Sequence, residues 1–299
     1  MTLKQSLKKA AAAAVAALGV AGLATAVTSP AAGANPHGGA RLVTIGDSFT
    51  ANPTTPNSPI SGDDPQDPYR QVVPSRKPNC FVDPFNWPRV AAQDLGMDFN
   101  SLRDLADYSC NGTGRLPVLD LSSSVDAAIN SGDIGPSTNK VVFMYGGLDT
   151  LAWIDAGAGV MRLDIPTAFD AFLAEQANRV RQAAPRAEIV FASYPELTSG
   201  DSVCLVNLDP NRPGRLLVPG ATAVEQALKN TMRSAAAQAG ARFVDLNAAT
   251  AGHGTCAAPA ERYVAGLVDT TVEYNMRLHP TIHGQQVMGH IMADHLRGA

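Results

Sequence analysis

Three short apolar runs constrain the fold of this chain more than any other feature of its sequence. They cover residues 42–45, 140–145 and 188–193, and each is rich in Val, Ile, Leu or Phe with few polar interruptions. Runs of this kind are typical of strands that are buried on both faces of a parallel sheet. The sequence therefore predicts a sheet whose two faces are both covered.

Helical patterns separate these runs along the chain. Between residues 165 and 184, apolar side chains such as Phe169 and Leu173 recur at helical spacing. Asp164 is suited to cap the start of this helix. Strands that alternate with helices predict one α/β domain with a parallel sheet. The predicted strands are 42–46, 140–145, 188–193 and 241–245, with a further strand near Phe99, and the predicted helices are 87–95, 165–184, 223–239 and 285–296.

The first predicted strand ends in Gly46-Asp47-Ser48, a tight turn that holds a serine at its tip. This position is at the carboxyl edge of the sheet, where α/β enzymes place their chemistry. Asp47 is predicted to shape the turn, and Ser48 is a candidate nucleophile that needs a base. Of the six histidines, His279 is the best candidate, because it lies in a loop just before the last predicted helix. A serine in a turn and a late histidine are also common in exported domains, so these residues alone leave catalysis open.

The N-terminal segment has the composition of a secretory signal peptide. Three lysines precede an Ala-rich apolar run, and Ala32-Gly33-Ala34 follows as a cleavage pattern. The sequence predicts a signal peptide at 1–34, a domain at 35–299 and a secreted protein. The apolar run is short, which disfavours a retained membrane anchor. Removing the three lysines makes a chain of net charge −4 more acidic, which argues against nucleic acid as a partner.

The four cysteines of an exported chain predict two disulfides. Sequence alone allows three connectivities. Cys80 and Cys110 lie in the N-terminal half and Cys204 and Cys256 in the C-terminal half, so local pairing is the simplest arrangement. No pair has the C-x-x-C spacing of common zinc sites, so no metal is expected.

Several short motifs follow one another in a fixed order along the chain. They are Gly46-Asp47-Ser48, Cys110-Asn111-Gly112-Thr113, Gly146-Gly147-Leu148-Asp149, Ser193-Tyr194-Pro195, Phe243-Val244-Asp245 and His279-Pro280. In this order and spacing they resemble the sequence blocks of the SGNH, or GDSL, hydrolases secreted by actinobacteria. The resemblance covers about residues 41–297.

This resemblance implies a three-layer α/β/α sandwich of the flavodoxin-like SGNH hydrolase type, with a mostly parallel five-stranded sheet. It implies that Ser48 is the nucleophile and that His279 is the general base. The N–H groups of Ser48 and Gly112 are then donors to the oxyanion hole. The reaction runs through an acyl-enzyme and needs no cofactor.

Two positions depart from the family pattern. Leu148 stands where an asparagine side chain usually donates to the oxyanion, and losing one such donor costs about 10²–10³-fold in rate. Met276 stands where an aspartate usually orients the histidine, and some relatives use a backbone carbonyl instead. The Met276 carbonyl is therefore the expected orienting group. The nearby acids Asp269 and Glu273 are less favoured.

The function expected from these residues is that of a secreted, monomeric serine esterase. Its substrates are expected to be carboxylic esters of lipids or acylated glycans, which also suggests association with the cell envelope. The alternatives are an extracellular acyltransferase and a catalytically impaired binding protein on the same scaffold. Residues 51–79 are rich in Pro, Asn, Asp and Ser and predict a long loop that could cover the site.

Overall fold

The computed structural model describes residues 34–54, 72–111, 117–146, 151–152, 162–163 and 168–297. The predicted signal peptide up to residue 33 and residues 55–71 of the predicted loop lie outside these ranges. The elements in chain order are β1 (Leu42–Gly46), α1 (Ser48–Ala51), β2 (Val73–Pro74), β3 (Phe81–Val82), α2 (Trp87–Asp94), β4 (Leu105–Asp107), α3 (Pro117–Asn130), β5 (Lys140–Met144), β6 (Leu151–Ala152), β7 (Arg162–Leu163), α4 (Phe169–Ala183), β8 (Glu188–Ala192), β9 (Ser202–Asp209), β10 (Arg212–Leu217), α5 (Ala221–Ala239), β11 (Arg242–Val244), α6 (Leu246–Ala249), a 3₁₀ turn (Pro259–Glu261), β12 (Val268–Asp269) and α7 (Ile282–Arg297).

A five-stranded sheet in the order β11-β8-β5-β1-β4 forms the centre of the fold. All four neighbouring pairs are parallel. This is the strand order of flavodoxin-like sheets, in which the chain reverses direction across the sheet between its first and third strands. Here that switch point lies between β1 and β5, and the carboxyl ends of these strands frame the crevice where such folds bind ligands.

Alternating side chains of the sheet enter two separate cores. On one face, Val43 and Phe143 pack with apolar side chains of α3, α4 and α5. On the other face, Leu42 and Met144 pack with side chains of α2 and α7, including the fully buried Trp87. The helices therefore cover both faces, and the predicted three-layer α/β/α fold is confirmed.

Two predicted helices and one predicted strand need correction. Helix α7 begins at Ile282, three residues earlier than predicted. Helix α4 begins at Phe169, four residues later than predicted, and follows Ala168, which has left-handed backbone angles. The predicted capping residue, Asp164, lies outside the described residues. The strand predicted near Phe99 is wrong, because residues 98–104 form tight turns instead. In these turns Ser101 N–H donates to the Asp98 carbonyl and Asp104 N–H donates to the Ser101 carbonyl, each at 2.9 Å.

The two disulfides join Cys80 to Cys110 and Cys204 to Cys256, which is the predicted local pairing. The first attaches the segment after β4 to the residue just before β3, and the second attaches β9 to the segment after α6. Among the described helices, none combines the length and the apolar character needed to cross a bilayer.

Candidate active site

The turn after β1 places Ser48 at the first position of the short helix α1. Asp47 caps this helix, because its side chain accepts a hydrogen bond from Phe49 N–H at 3.1 Å. Gly46 permits the tight turn, since a Cβ atom there would lie 2.3 Å from Thr50 Oγ1. The predicted turn-shaping role of Asp47 is confirmed. The turn holds Ser48 almost fully buried at the edge of the sheet, with 2% of its surface exposed.

The structure brings His279 directly against Ser48. The distance between His279 Nε2 and Ser48 Oγ is 2.8 Å, and His279 Nδ1 lies 2.7 Å from the carbonyl oxygen of Arg277. Since a carbonyl only accepts, Nδ1 carries the ring proton and donates it. Nε2 is then the unprotonated nitrogen and can accept the hydroxyl proton of Ser48.

The acceptor for the histidine ring is the Arg277 carbonyl and not the Met276 carbonyl that the sequence suggested. The reason is the backbone turn at Leu278, which has a φ of 58°. This left-handed turn folds the chain so that the carbonyl two residues before the ring faces Nδ1. A left-handed backbone conformation costs a residue that has a Cβ atom about 1–2 kcal/mol. Neighbouring contacts must therefore hold Leu278 in place.

Two backbone hydrogen bonds fix the histidine segment. Ala265 N–H donates to the His279 carbonyl at 3.0 Å, and Leu278 N–H donates to the Gly266 carbonyl at 3.2 Å. The Phe49 ring, which follows the serine, packs against the His279 ring with centroids 4.7 Å apart. The imidazole is therefore supported on its ring face as well as through its backbone.

Tyr194 connects the serine turn to the end of β5. Its hydroxyl donates to Asp47 Oδ2 and accepts a hydrogen bond from Gly146 N–H, the latter at 2.8 Å. Burial, together with the nearby Asp47 carboxylate, raises the pKa of Tyr194 well above its usual value. The tyrosine is therefore neutral and serves as a fixed hydrogen-bonding bridge behind the nucleophile.

A buried carboxyl group, Asp83, lies behind the serine turn. It accepts hydrogen bonds from Phe85 N–H at 2.8 Å and from Asn275 Nδ2 at 2.6 Å, and its own N–H donates to the Ala51 carbonyl at 2.8 Å. Burial raises the pKa of Asp83 to about 7, against the opposing effects of these hydrogen bonds and of Arg89. The sequence analysis did not select Asp83 or Asn275, because nothing in their local sequence indicates that they meet.

The predicted oxyanion donor Gly112 lies outside the described residues, and so does Leu148, which stands at the usual asparagine position. The N–H of Ser48 makes no hydrogen bond within the described part of the chain. Such free amides are expected at the first turn of a helix. In the same ranges, no group of three or more His, Cys, Asp or Glu side chains is arranged to hold a metal ion.

The sheet is of the flavodoxin-like α/β class, and the serine turn and the histidine ring meet at its carboxyl edge. The sequence pattern of the GDSL-like Lipase/Acylhydrolase family matches residues 44–287 of this chain. The chain belongs to that family, and it is a carboxylic ester hydrolase.

Curated relatives support the same class over most of the chain. Lipase 2 of Streptomyces coelicolor is 28% identical, and the aligned region covers 89% of this chain and 90% of that protein. An esterase of Streptomyces scabiei is 25% identical, with 91% of this chain and 90% of that protein covered.

Solved structures of two Streptomyces enzymes share the fold. Phospholipase A1 of Streptomyces albidoflavus superposes with a TM-score of 0.57 at 19% identity, covering 85% of this chain and 98% of that chain. An extracellular lipase of Streptomyces rimosus superposes with a TM-score of 0.54 at 17% identity, covering 86% of this chain and 99% of that chain.

Proposed function

We propose that this protein is a secreted serine esterase that cleaves carboxylic esters through an acyl-enzyme on Ser48. The observation that carries the proposal is the short contact between Ser48 Oγ and His279 Nε2, 2.8 Å, with Nδ1 held on a backbone carbonyl. This arrangement provides the two requirements for an activated serine: a base within hydrogen-bond reach and a group that orients the base.

The first half of the reaction forms the acyl-enzyme. His279 Nε2 removes the Ser48 hydroxyl proton as Oγ attacks the ester carbonyl, and a tetrahedral oxyanion forms. The imidazolium then donates this proton to the leaving alcohol, and the carbon–oxygen bond of the ester breaks. In the second half, His279 activates a water molecule that attacks the acyl-enzyme, which releases the acid and restores Ser48.

The oxyanion needs preorganised donors near Ser48. The Ser48 N–H at the start of α1 is one donor, and we propose the Gly112 N–H as the second. Donors of this kind act where charge develops and cost little reorganisation during the reaction. Leu148 cannot supply the usual third donor from its side chain, so we expect a lower rate than in relatives that carry an asparagine at this position.

The orienting group for His279 is neutral, since the Arg277 carbonyl replaces a carboxylate. A carbonyl fixes the tautomer and the ring orientation, but it stabilises the imidazolium less than a negative charge does. The site is therefore a Ser-His pair in which a backbone carbonyl orients the histidine.

The substrate class proposed is esters of lipids or of acylated glycans outside the cell. The relatives are named lipase and esterase, and one structural neighbour is named phospholipase A1. Export is supported by the two disulfides, which persist in oxidising compartments, and by the N-terminal segment. Hydrolysis is favoured over acyl transfer, because the neighbours that share the fold include an extracellular lipase.

A fluorophosphonate probe tests this proposal, because it labels only activated serines. We expect the wild type to be labelled and to hydrolyse short p-nitrophenyl esters, and Ser48→Ala to lose both properties. Ser123→Ala is the matched control, since Ser123 is an exposed serine on α3. An unlabelled, well-folded wild type with no ester turnover would contradict the proposal and favour a binding protein on a hydrolase scaffold, which the Leu148 position motivates.

Product analysis then separates the substrate classes and the two reactions. Release of free acid from phospholipid or acylated glycan substrates identifies a hydrolase. Transfer of the acyl group to an added sugar or lipid alcohol, in place of water, identifies an acyltransferase.

A further inference from the structure

Two buried asparagines link the serine turn to the histidine loop. Asn52 ends helix α1, four residues after Ser48, and its N–H donates to the Ser48 carbonyl at 2.8 Å. Asn275 lies four residues before His279. The exposed fractions of Asn52 and Asn275 are 0% and 4%, so water does not compete for their hydrogen bonds.

The two side chains donate in opposite directions across the site. Asn52 Nδ2 donates to the carbonyl of Pro280, the residue after His279, at 3.2 Å. Asn275 Nδ2 donates to the carbonyl of Asn52 at 2.9 Å. Each asparagine therefore binds the backbone of the other segment, and we refer to this pair of hydrogen bonds as the asparagine clasp.

Asn275 is held in place by further partners. Its Nδ2 also donates to Asp83 Oδ2 at 2.6 Å, and its Oδ1 accepts a hydrogen bond from Thr54 Oγ1 at 3.1 Å. Both N–H bonds of its Nδ2 group are therefore used, one by the Asn52 carbonyl and one by the Asp83 carboxyl group. The orientation of this amide is therefore fixed by its surroundings.

The clasp joins the two halves of the candidate site by hydrogen bonds, in addition to the ring contact between Phe49 and His279. The Arg277 carbonyl that orients His279 belongs to the histidine loop itself, so it moves with the ring. The bond that Ala265 N–H donates and the bond that the Gly266 carbonyl accepts tie that loop to the segment before β12. Gln285 reaches the serine turn, since its Nε2 donates to the Phe49 carbonyl at 2.8 Å, but it lies on α7.

On the basis of the proposed function, we infer that Asn52 and Asn275 are positioning residues that set the distance between Ser48 Oγ and His279 Nε2. They perform part of the task that an acidic third member performs elsewhere: they fix where the base lies relative to the nucleophile. Small misplacements at reacting atoms are costly, because about 1 Å can reduce the rate about 10²-fold.

Asn52→Gly is the sharpest single test. Asn52 has a φ of 42°, so glycine adopts the same backbone conformation and only the side chain is removed. Asn79→Gly is the matched control, because Asn79 is an exposed asparagine with a φ of 61°. We expect Asn52→Gly to lower kcat and the rate of fluorophosphonate labelling by about 10–100-fold with little change in KM. A kcat within about twofold of the control would overturn the inference.

A swap variant separates positioning from stability. Asp83→Asn combined with Asn275→Asp keeps a hydrogen bond between residues 83 and 275 with its direction reversed, and it leaves the Asn52 carbonyl without its donor. We expect the midpoint of thermal unfolding to recover relative to Asn275→Asp alone, while kcat stays low. Recovery of kcat together with stability would show that Asn275 is merely structural and would overturn its assignment.

The ring nitrogens of His279 provide a readout that does not depend on turnover. We expect their ¹⁵N resonances to change in Asn52→Gly and to stay as in the wild type in Asn79→Gly. Unchanged resonances in both variants would contradict the clasp. If Asn52→Gly shifts these resonances but the wild type is never labelled at Ser48, the clasp is supported and the proposed function is contradicted.

Discussion

At the residue scale, the candidate site depends on polar groups that are buried and almost fully paired. Ser48 and His279 are 231 positions apart in sequence, yet their side chains lie at 2.8 Å. The turn and the loop that carry them are held by hydrogen bonds of Tyr194, Asp83 and Asn275. Buried hydrogen bonds of this kind are expensive to leave unmade, so they specify one geometry.

The pH dependence of stability tests the environment of Asp83. Its pKa is raised from 3.8 to about 7 by burial, so the folded protein holds a proton that the unfolded chain releases. The free energy of unfolding therefore falls as the pH rises from about 4 to 7, by at most about 1.4 kcal/mol per pH unit from this group.

The measurement is denaturant unfolding of the wild type and of Asp83→Asn at pH 5 and at pH 8. The variant cannot ionise at this position, so we expect the wild type to lose more stability than the variant between the two pH values. Any pH-independent effect of the Asp83→Asn substitution on stability cancels, because each protein is compared with itself at the two pH values. Equal pH dependence in the two proteins would show that Asp83 is not protonated in the folded state.

At the element scale, the junction of β1 and α1 sets the position of the nucleophile. The strand ends at Gly46, Asp47 caps the helix, and the side chain of Thr50 packs onto Gly46. A single turn of helix cannot be stable alone. Its geometry therefore comes from the cap and from contacts with the strand.

Gly46→Ala tests this junction. The new Cβ would lie 2.3 Å from Thr50 Oγ1, so α1 must shift. We expect a loss of about 1–3 kcal/mol in stability and a fall in kcat, because Ser48 moves with the helix.

The control is Gly214→Ala in the β9–β10 hairpin. Its Cβ would lie 2.0 Å from the Val206 carbonyl oxygen, so it is at least as crowded. We expect this variant to be destabilised with kcat near that of the wild type. Equal losses of kcat in the two variants would indicate a general effect of destabilisation and would argue against a special role for the junction.

The strands at the centre of the sheet could be predicted because buried parallel strands are continuously apolar. Helix α3 was not predicted, since its Ser122-Ser123-Ser124 run favours turns as readily as helices when judged locally. The β9–β10 hairpin was also missed, because only its first strand is apolar, whereas the second begins Arg212-Pro213-Gly214-Arg215. A proline within a run disfavours a strand prediction.

The site could be predicted only in part for a similar reason. Ser48 and His279 were selected through local motifs, and the structure places them together. The Arg277 carbonyl was missed by one residue, because the left-handed turn at Leu278 is set by backbone contacts with distant residues. The pairing of Asn52 with Asn275 spans 223 positions, and no local pattern carries that information.

At the scale of the whole molecule, two disulfides attach different parts of the domain. Cys110 of the first bridge directly precedes Asn111 in sequence, and Gly112, the proposed second oxyanion donor, comes next. The Cys204–Cys256 bridge attaches β9 of the β9–β10 hairpin to the segment after α6. The two bridges therefore hold different segments, although the sequence separations of their cysteines, 30 and 52 residues, are of the same order.

Replacing each cysteine pair by serines tests this difference. We expect both double variants to lose about 2–4 kcal/mol of stability. Only the variant lacking Cys80 and Cys110 is expected to lose kcat at a temperature where both are folded, because residue 110, two positions before Gly112 in sequence, is then no longer attached to residue 80. Equal kcat values in the two variants would contradict a link between this disulfide and the oxyanion site.

The strand order places the nucleophile on the first strand of the sheet and the base just before helix α7, the last described helix. One core joins the two, since it contains Leu42 and Phe49 of the serine strand and turn together with Met288 and Met292 of α7. The candidate site is therefore completed only when α7 docks on that face of the sheet. A partly folded chain in which this helix is still undocked holds the nucleophile without its base and is inert towards esters.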